Sequence, residues 1–413
     1  MLAHALSLPP RMSDSSAPPV GRVTGPGGVA LLLGIAQTLA WGSTYYLPAV
    51  LIPAVLPEFG ADRLWVFGAF SLALLISGFA APATGHAIER FGGRPVLILS
   101  SCVLSLGLAL LALLPGLWGW FIGWIVLGFG MALGLYEAAF ATLGTLYGRA
   151  ARKPITLVTL LAGFASTVGW PATAALIPLL GWRNTCLAYV AVNLGLVLPL
   201  YLLLPRAGQA PPPAAGQEVA PDPPAPSAAW ARHAFLLLAV FFTLRALITG
   251  VVAVHFVALF GGLGLGVAAA VAIGALQGPS QVGGRILEFT LGSKTHPLTV
   301  AKAGAVLLPL GVLVLLALGP EAAAGFMLAY GASNGILTIS KGAVPLALFG
   351  PRGYPVLMGR LALPILVAQA IAPTLSAPLV AVLPARLTFA VLGLLAALAF
   401  ACLLPLRARD SAA

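Results

Sequence analysis

The chain has 413 residues, 60% of them hydrophobic and only 8% charged, with a mean hydropathy of +1.04. A soluble domain carries about 25% charged residues, so this composition excludes a soluble globular protein, although the length would suit two or three such domains. The net charge of +11 does not mark a nucleic-acid binder, because the basic residues sit singly in short connections between apolar runs rather than on one solvated face.

Residues 1–26 lack a continuous apolar core and are broken by prolines, so they do not read as a cleavable leader. They are expected to form a disordered cytoplasmic tail, with Met12 as an alternative start. Six apolar stretches follow at about 27–56, 64–84, 95–115, 118–147, 155–180 and 183–204, and six more at 233–260, 265–289, 298–318, 321–349, 353–382 and 385–405. Each is long enough to cross a hydrocarbon core of about 30 Å as a helix. Between the two sets, residues 205–232 are rich in proline and alanine and are expected to form a flexible tether. Residues 406–413 make a second short tail. The expected fold is an all-α membrane protein with twelve transmembrane helices in two pseudo-symmetric six-helix bundles, 27–204 and 233–405.

Lys and Arg positions orient this array. Fifteen, Arg285 and Lys294 among them, fall on one side of the pattern, and three, Arg63, Arg183 and Arg386, on the other. The positive-inside rule then puts both termini and the tether in the cytoplasm, around a multi-pass protein of the cell (inner) membrane. The halves echo each other. Gly85–Glu89 matches Gly284–Glu288, "EFG" at 58–60 matches "LFG" at 259–261, and Arg183 matches Arg386, at offsets of 199, 201 and 203. Such near-constant offsets point to duplicated halves.

Several function classes lose support here. Cys102, Cys186 and Cys402 each stand alone in an apolar run, and His4, His86, His233, His255 and His296 are scattered. No metal site, disulfide framework or resident cofactor is expected from them. No phosphate-binding loop supports direct ATP drive. A membrane enzyme would need a nucleophile–base or metal cluster that these spacings do not offer, and a receptor would want a soluble domain.

The most specific stretch is "GHAIERFGGRPVL" at 85–97. Gly85 permits close helix approach, Gly92 and Gly93 a sharp turn, Glu89 an acceptor, and Arg90 and Arg94 inward charge. This loop resembles the signature of the major facilitator superfamily: Gly, three residues, Asp, Arg, any residue, Gly, Arg, then a basic residue. Gly85, Arg90, Gly92 and Arg94 match it, while Glu89 replaces the Asp and Gly93 an Arg. "LGWRNTCLAYV" at 180–190 is also similar to the family's opening of the sixth helix. The resemblance implies two six-helix bundles rocking about a central cavity, with Gly85, Glu89, Arg90, Gly92 and Arg94 as a conformational gate. "AWGSTYYLPAVLIPAVLPEFG" at 40–60 loosely resembles the first helix of monocarboxylate and oxalate/formate-type carriers in that superfamily.

Four charged side chains lie well inside the apolar runs: Glu137, Arg245, Lys341 and Arg360. Charges at membrane depth are expensive and face a bundle interior or a wet cavity. Helical spacing sets Tyr330, Asn334, Thr338 and Lys341 on one face, Gln37, Trp41, Thr44 and Pro48 on another with Tyr45 beside it, and Gln277, Ser280 and Gln281 on a third. One acid against three bases favours an anionic guest. Arg245, Lys341, Arg360, Trp41, Tyr45, Tyr330, Asn334 and Gln281 are therefore the candidate substrate-binding residues, and Glu137 the candidate proton carrier. The expected function is secondary active transport of a small organic anion, coupled to protons, by a monomer in a lipid bilayer. A proton-driven drug or metabolite efflux antiporter is the alternative.

Overall fold

The computed structural model describes residues 25–60, 62–206, 227–290, 292 and 295–407. The expected tails and tether fall mainly on residues outside these, as does Lys294. Among the described residues the chain is all-helical. Long apolar runs with no water to bond their amides must close those bonds within the segment, and the α-helix does so.

The N-terminal part holds α1 (Pro26–Ser43), α2 (Pro48–Phe59), α3 (Arg63–Phe91), α4 (Gly93–Leu113), α5 (Gly116–Gly134), α6 (Tyr136–Tyr147), α7 (Arg152–Ala162), α8 (Ala165–Val192) and α9 (Leu198–Leu202). The C-terminal part holds α10 (Ala228–Gly261), α11 (Val267–Ala275), α12 (Gln277–Thr290), α13 (Pro297–Leu318), α14 (Ala323–Phe349), α15 (Tyr354–Val382) and α16 (Ala385–Leu403).

Among the described residues, eight helical stretches are long and apolar enough to cross a membrane, and the expected spans do not map onto them one to one. Gly116–Leu202 runs for 87 residues and encloses three expected spans, whereas the expected span 265–289 is carried by the shorter helices α11 and α12.

Four expected spans are broken mid-course, at Thr44–Leu47, Leu135, Gly163–Phe164 and Leu276. Pro48, in the first turn of α2, has no amide hydrogen to continue the ladder from α1. Leu135 turns extended, with φ −84° and ψ −163°, so α6 starts afresh at Tyr136 and carries Glu137 in its first turn. α8 is also interrupted at Gly181, whose φ of +77° suits glycine; this break falls between the expected spans 155–180 and 183–204, where a connection is expected. Interrupted helices are tolerated at membrane depth where their freed backbone lies in protein or lines a cavity.

Glycine sets a close inter-helix seam. α3 packs along α15, where a Cβ at Gly85 would collide with the Pro355 carbonyl and one at Gly359 with the Ala81 carbonyl. Small residues permit this approach where no hydrophobic effect between lipid and helix drives association. Aromatic triads close one end of each chain half. Phe59, Trp120 and Trp182 meet at 5.8–6.2 Å between ring centroids, and Phe260, Phe326 and Phe389 at 5.3–6.2 Å. Phe59 and Phe260 belong to the "EFG" and "LFG" echoes. In the first, Glu58 takes Arg183 at 2.6 Å and the Trp182 indole at 2.7 Å. In the second, Leu259 stands where Glu58 does, and Arg386 donates instead to the Leu316 carbonyl at 3.2 Å.

Candidate functional site

The broken helices bring their interruptions to one region. The α1–α2 turn presents Trp41, Tyr45 and Tyr46, α6 opens with Tyr136, and Trp170 follows the α7–α8 break. Trp41 lies 4.8 Å from Tyr45, 6.0 Å from Tyr46 and 4.8 Å from Tyr136, ring centre to ring centre. Tyr46 packs edge-on to Trp170 at 5.7 Å, and the Trp170 indole donates to the Tyr46 carbonyl at 3.1 Å. The result is an aromatic box, fixed in part by Gln37, which donates to the Gly134 carbonyl at 2.6 Å and accepts from the Trp41 indole at 3.2 Å. Tyr45 is also hydrogen-bonded to Gln369 of α15. Thus the box touches both chain halves.

Three bases and one acid surround this box. Lys341 of α14 donates to Glu137 of α6 at 2.5 Å, with side-chain exposures of 19% and 14%. A cavity of about 10 Å³, room for about one water, lies beside Glu137 and is lined in part by Thr84, Gly85, Pro355 and Gly359.

Arg245, midway along α10, is 6% exposed. One of its terminal nitrogens donates to Asn334 Oδ1 at 2.7 Å, and the other has no partner. Asn334 Nδ2 and the Tyr330 hydroxyl are likewise buried and unpartnered.

The third base is Arg285 of α12. Only 4% exposed, it forms no ion pair among the described residues, where its Nε and one terminal nitrogen also have no hydrogen-bond partner. Its guanidinium lies against Gly163 at the α7–α8 break, where any larger residue would displace it. Its charge bears on the hydroxyls of Tyr46 and Tyr136 in the aromatic box.

The structure therefore brings together Glu137, Lys341, Arg245, Asn334, Tyr330, Trp41 and Tyr45. Gln281 sits at the crossing of α12 and α14, with its carbonyl against Gly335. Arg360 does not join the cluster. It is exposed on α15, on the stripe that continues through the exposed Ile371 and Leu375, so it faces outward with its long stem free to snorkel. Arg285 takes its place, correcting the sequence reading that grouped it with the loop cations. The signal was available, since Arg285 falls inside the expected span 265–289.

In the expected polar stripes, Thr44 bonds the Ala40 carbonyl and Thr338 that of Asn334, each four residues back, while Ser280 reaches across to the Leu328 carbonyl; Thr159 and Thr249 likewise bond locally, to the carbonyls of Thr156 and Arg245. His255 faces the Pro373 carbonyl at 3.4 Å.

The loop motif is split between two tasks. Gly85 seats α3 on the start of α15, and the Glu89 carboxylate approaches Gly353, the N-cap of α15, where the positive end of the helix dipole lies. Arg94 instead caps α9 by donating to the Leu202 carbonyl at 2.6 Å. Arg90 sits over the Phe91 ring at 5.1 Å, and Gly92 has a φ of +81°. The second-half echo is stronger. Glu288 docks on the start of α7, where Arg152 meets it at 3.0 Å and Thr156 at 3.4 Å. Arg152 also donates to the carbonyls of Gly292 at 2.7 Å and Thr295 at 2.6 Å. Each acid of the repeat thus seats on the first turn of a helix from the opposite chain half.

Comparison with known proteins agrees with this architecture. The family model described as Major Facilitator Superfamily matches residues 33–341. Human Monocarboxylate transporter 11 is 30% identical over 154 residues, 37% of this chain and 32% of its own length. The mouse protein of that name is 32% identical over 147 residues, 35% of this chain and 32% of its own. The aligned stretch thus spans about a third of these curated relatives. The fold is similar to that of the human organic anion transporter MFSD10 (TETRAN), with a TM-score of 0.70 at 16% identity, covering 94% of this chain and 100% of that one. It is also similar to the FucP transporter in its outward conformation, with a TM-score of 0.62 at 16% identity, covering 91% of this chain and 97% of that one. With its family model matched over most of its length and its apolar helices repeated along the chain, this is a multi-pass membrane transporter belonging to the Major Facilitator Superfamily.

Proposed function

We propose that this transporter moves a small organic anion by alternating access and couples that movement to protons. The observation that carries the reading is Arg285: a guanidinium with no ion pair, 4% exposed, beside a box of Trp41, Tyr46 and Tyr136. An uncompensated buried charge is costly, several kcal/mol even after relaxation. A bound carboxylate removes that cost, and the planar guanidinium suits it in bidentate geometry. The aromatic rings cover an apolar body. The similarity of part of the chain to a monocarboxylate transporter, and of its fold to an organic anion transporter, favours the same chemistry.

Glu137 and Lys341 supply the coupling. They join α6 to α14, so their ion pair is also a tie between the two chain halves. A proton on Glu137 cancels the pair and frees Lys341, which lowers the cost of parting the halves. The water-sized cavity beside Glu137 offers the proton a relay toward the motif loop.

In this reading the chain folds as twelve transmembrane helices in two six-helix bundles, 27–204 and 233–405, joined by the 205–232 tether, with both termini in the cytoplasm of the inner membrane. Gly85–Pro355, Glu89–Gly353 and Arg152–Glu288 lie on one face and hold it shut. They lie on the side of the array to which the sequence assigns more Lys and Arg residues, so the shut face is the cytoplasmic one and the conformation is outward-facing, like the solved FucP structure.

The test is uptake by proteoliposomes of a panel of radiolabelled carboxylates with an imposed proton gradient. The reading expects uptake of at least one carboxylate, competed by other organic anions and lost in Arg285→Gln. Competition by organic cations with none by anions would overturn it.

A further inference from the structure

Two buried guanidinium groups stand unneutralised around one aromatic box, and this count limits the guest. Lys341 is neutralised by Glu137, and Arg152 by Glu288. Arg285 and Arg245 form no ion pair among the described residues; Glu288, one turn beyond Arg285 on α12, is held by Arg152. Both unpaired arginines lie near the box: Arg285 is close to Tyr46 and Tyr136 and against Gly163, Tyr46 packs on Tyr45 at 5.3 Å, and Tyr330 is close to both Tyr45 and Arg245. A monocarboxylate bound at Arg285 would leave Arg245 buried and uncompensated.

The surroundings of Arg245 specify what it lacks. Arg245 Nη1, Asn334 Nδ2 and the Tyr330 hydroxyl are all buried and without partners. The first two can only donate, and the third can donate. Tyr330 lies beside Asn334 and Thr249, and Asn334 already spends its oxygen on Arg245. The Tyr330 hydroxyl and the Asn334 amide lie beside each other and Thr249 without closing a short hydrogen bond, and Arg245 Nη1 has no acceptor, so a carboxylate oxygen pair supplies the strong acceptor this cluster lacks. Buried donors left unmade cost about 1–3 kcal/mol each, so the cluster is poised for a group that arrives with the guest.

We infer that Arg245, Asn334 and Tyr330 form a second anion station, and that the preferred guest is a dicarboxylate spanning from Arg285 to Arg245 across the Tyr45–Tyr46 wall. This rests on the proposed anion transport and sharpens its substrate class.

The experiment measures thermal stabilisation of the purified full-length protein by matched pairs of probes: succinate and glutarate against butyrate, and phthalate against benzoate. The expected result is half-maximal stabilisation by at least one dicarboxylate at a concentration tenfold or more below that of its monocarboxylate match. Arg245→Gln should remove that advantage, so that both members of a pair stabilise at the same concentration. Asn334→Asp offers an independent check, because it places a carboxylate on Arg245 from within the protein and should remove the advantage with the arginine still present. Equal stabilisation by both members of each pair would overturn the two-station inference and leave anion transport standing. So would an undiminished dicarboxylate advantage in both variants. Stabilisation by none of the probes, together with no carboxylate uptake, would overturn both.

Discussion

Lys341 Nζ lies 2.5 Å from Glu137 Oε1, and this one contact ties α14 to α6 across 204 residues of sequence. Removing either partner leaves the other charge in a poorly hydrated place. Glu137→Gln and Lys341→Met are each expected to destabilise the protein by roughly 3 kcal/mol. The double variant should recover most of that loss, since neither charge is then left alone. Melting temperatures of the three variants in one detergent measure it; additive losses in the double variant would show that the two groups do not act as a pair.

Arg285 should behave in the opposite way. With no ion pair to lose, Arg285→Gln removes a buried charge and is expected to leave the melting temperature unchanged or higher. Hydrogen bonds to a charged group contribute about 1.5–3 kcal/mol, so its affinity for a carboxylate should fall at least tenfold. A stability loss with intact binding would mean that the guanidinium serves the fold.

The seam between α3 and α15 makes a steric forecast. A Cβ at Gly85 has no room against the Pro355 carbonyl, whereas Gly68, on the same helix, has no heavy atom within 4 Å of that position. Gly85→Val should therefore block closure of the motif face and abolish net uptake. Gly68→Ala should transport like the parent, or better folded by about 0.5–1 kcal/mol. Initial uptake rates compare the two directly.

Arg152 holds Glu288 and two carbonyls at once. Arg152→Ala is expected to free the motif face and raise the labelling rate of a cysteine introduced at Thr159, deeper on α7, about tenfold; that corresponds to about 1.4 kcal/mol lost from the shut state. Glu89→Gln, whose carboxylate meets only a helix start, should give a smaller rise. Equal labelling in the parent and Arg152→Ala would show that the ion pair is not a latch.

The membrane class was legible from the sequence because apolar runs dominate every local preference. The repeat was legible too. Gly85–Glu89 and Gly284–Glu288 recur at a fixed offset, and in the structure both acids seat on helix starts of the opposite half. That Glu137, Lys341 and Arg245 lie in the interior was legible because charge inside an apolar run is costly unless it faces the bundle or reaches the interface. Arg285 escaped for a physical reason: it sits five residues from the end of α12, so depth alone could not distinguish a loop cation from one folded back beneath the α7–α8 break. Arg360 misled for the same reason, since sequence depth does not say which side of a helix looks outward. The helix interruptions at Leu135 and Gly163–Phe164 are set by tertiary packing, and no proline marks them.

Proton-driven uptake tests the central claim most directly. Proteoliposomes holding the parent protein should accumulate a carboxylate against its gradient when the outside is made acidic, with alkalinisation of the outer medium in step with uptake. Glu137→Gln should lose that accumulation yet still exchange labelled for unlabelled carboxylate, because the guanidinium sites remain. Accumulation by Glu137→Gln with unchanged dependence on the proton gradient would contradict the account.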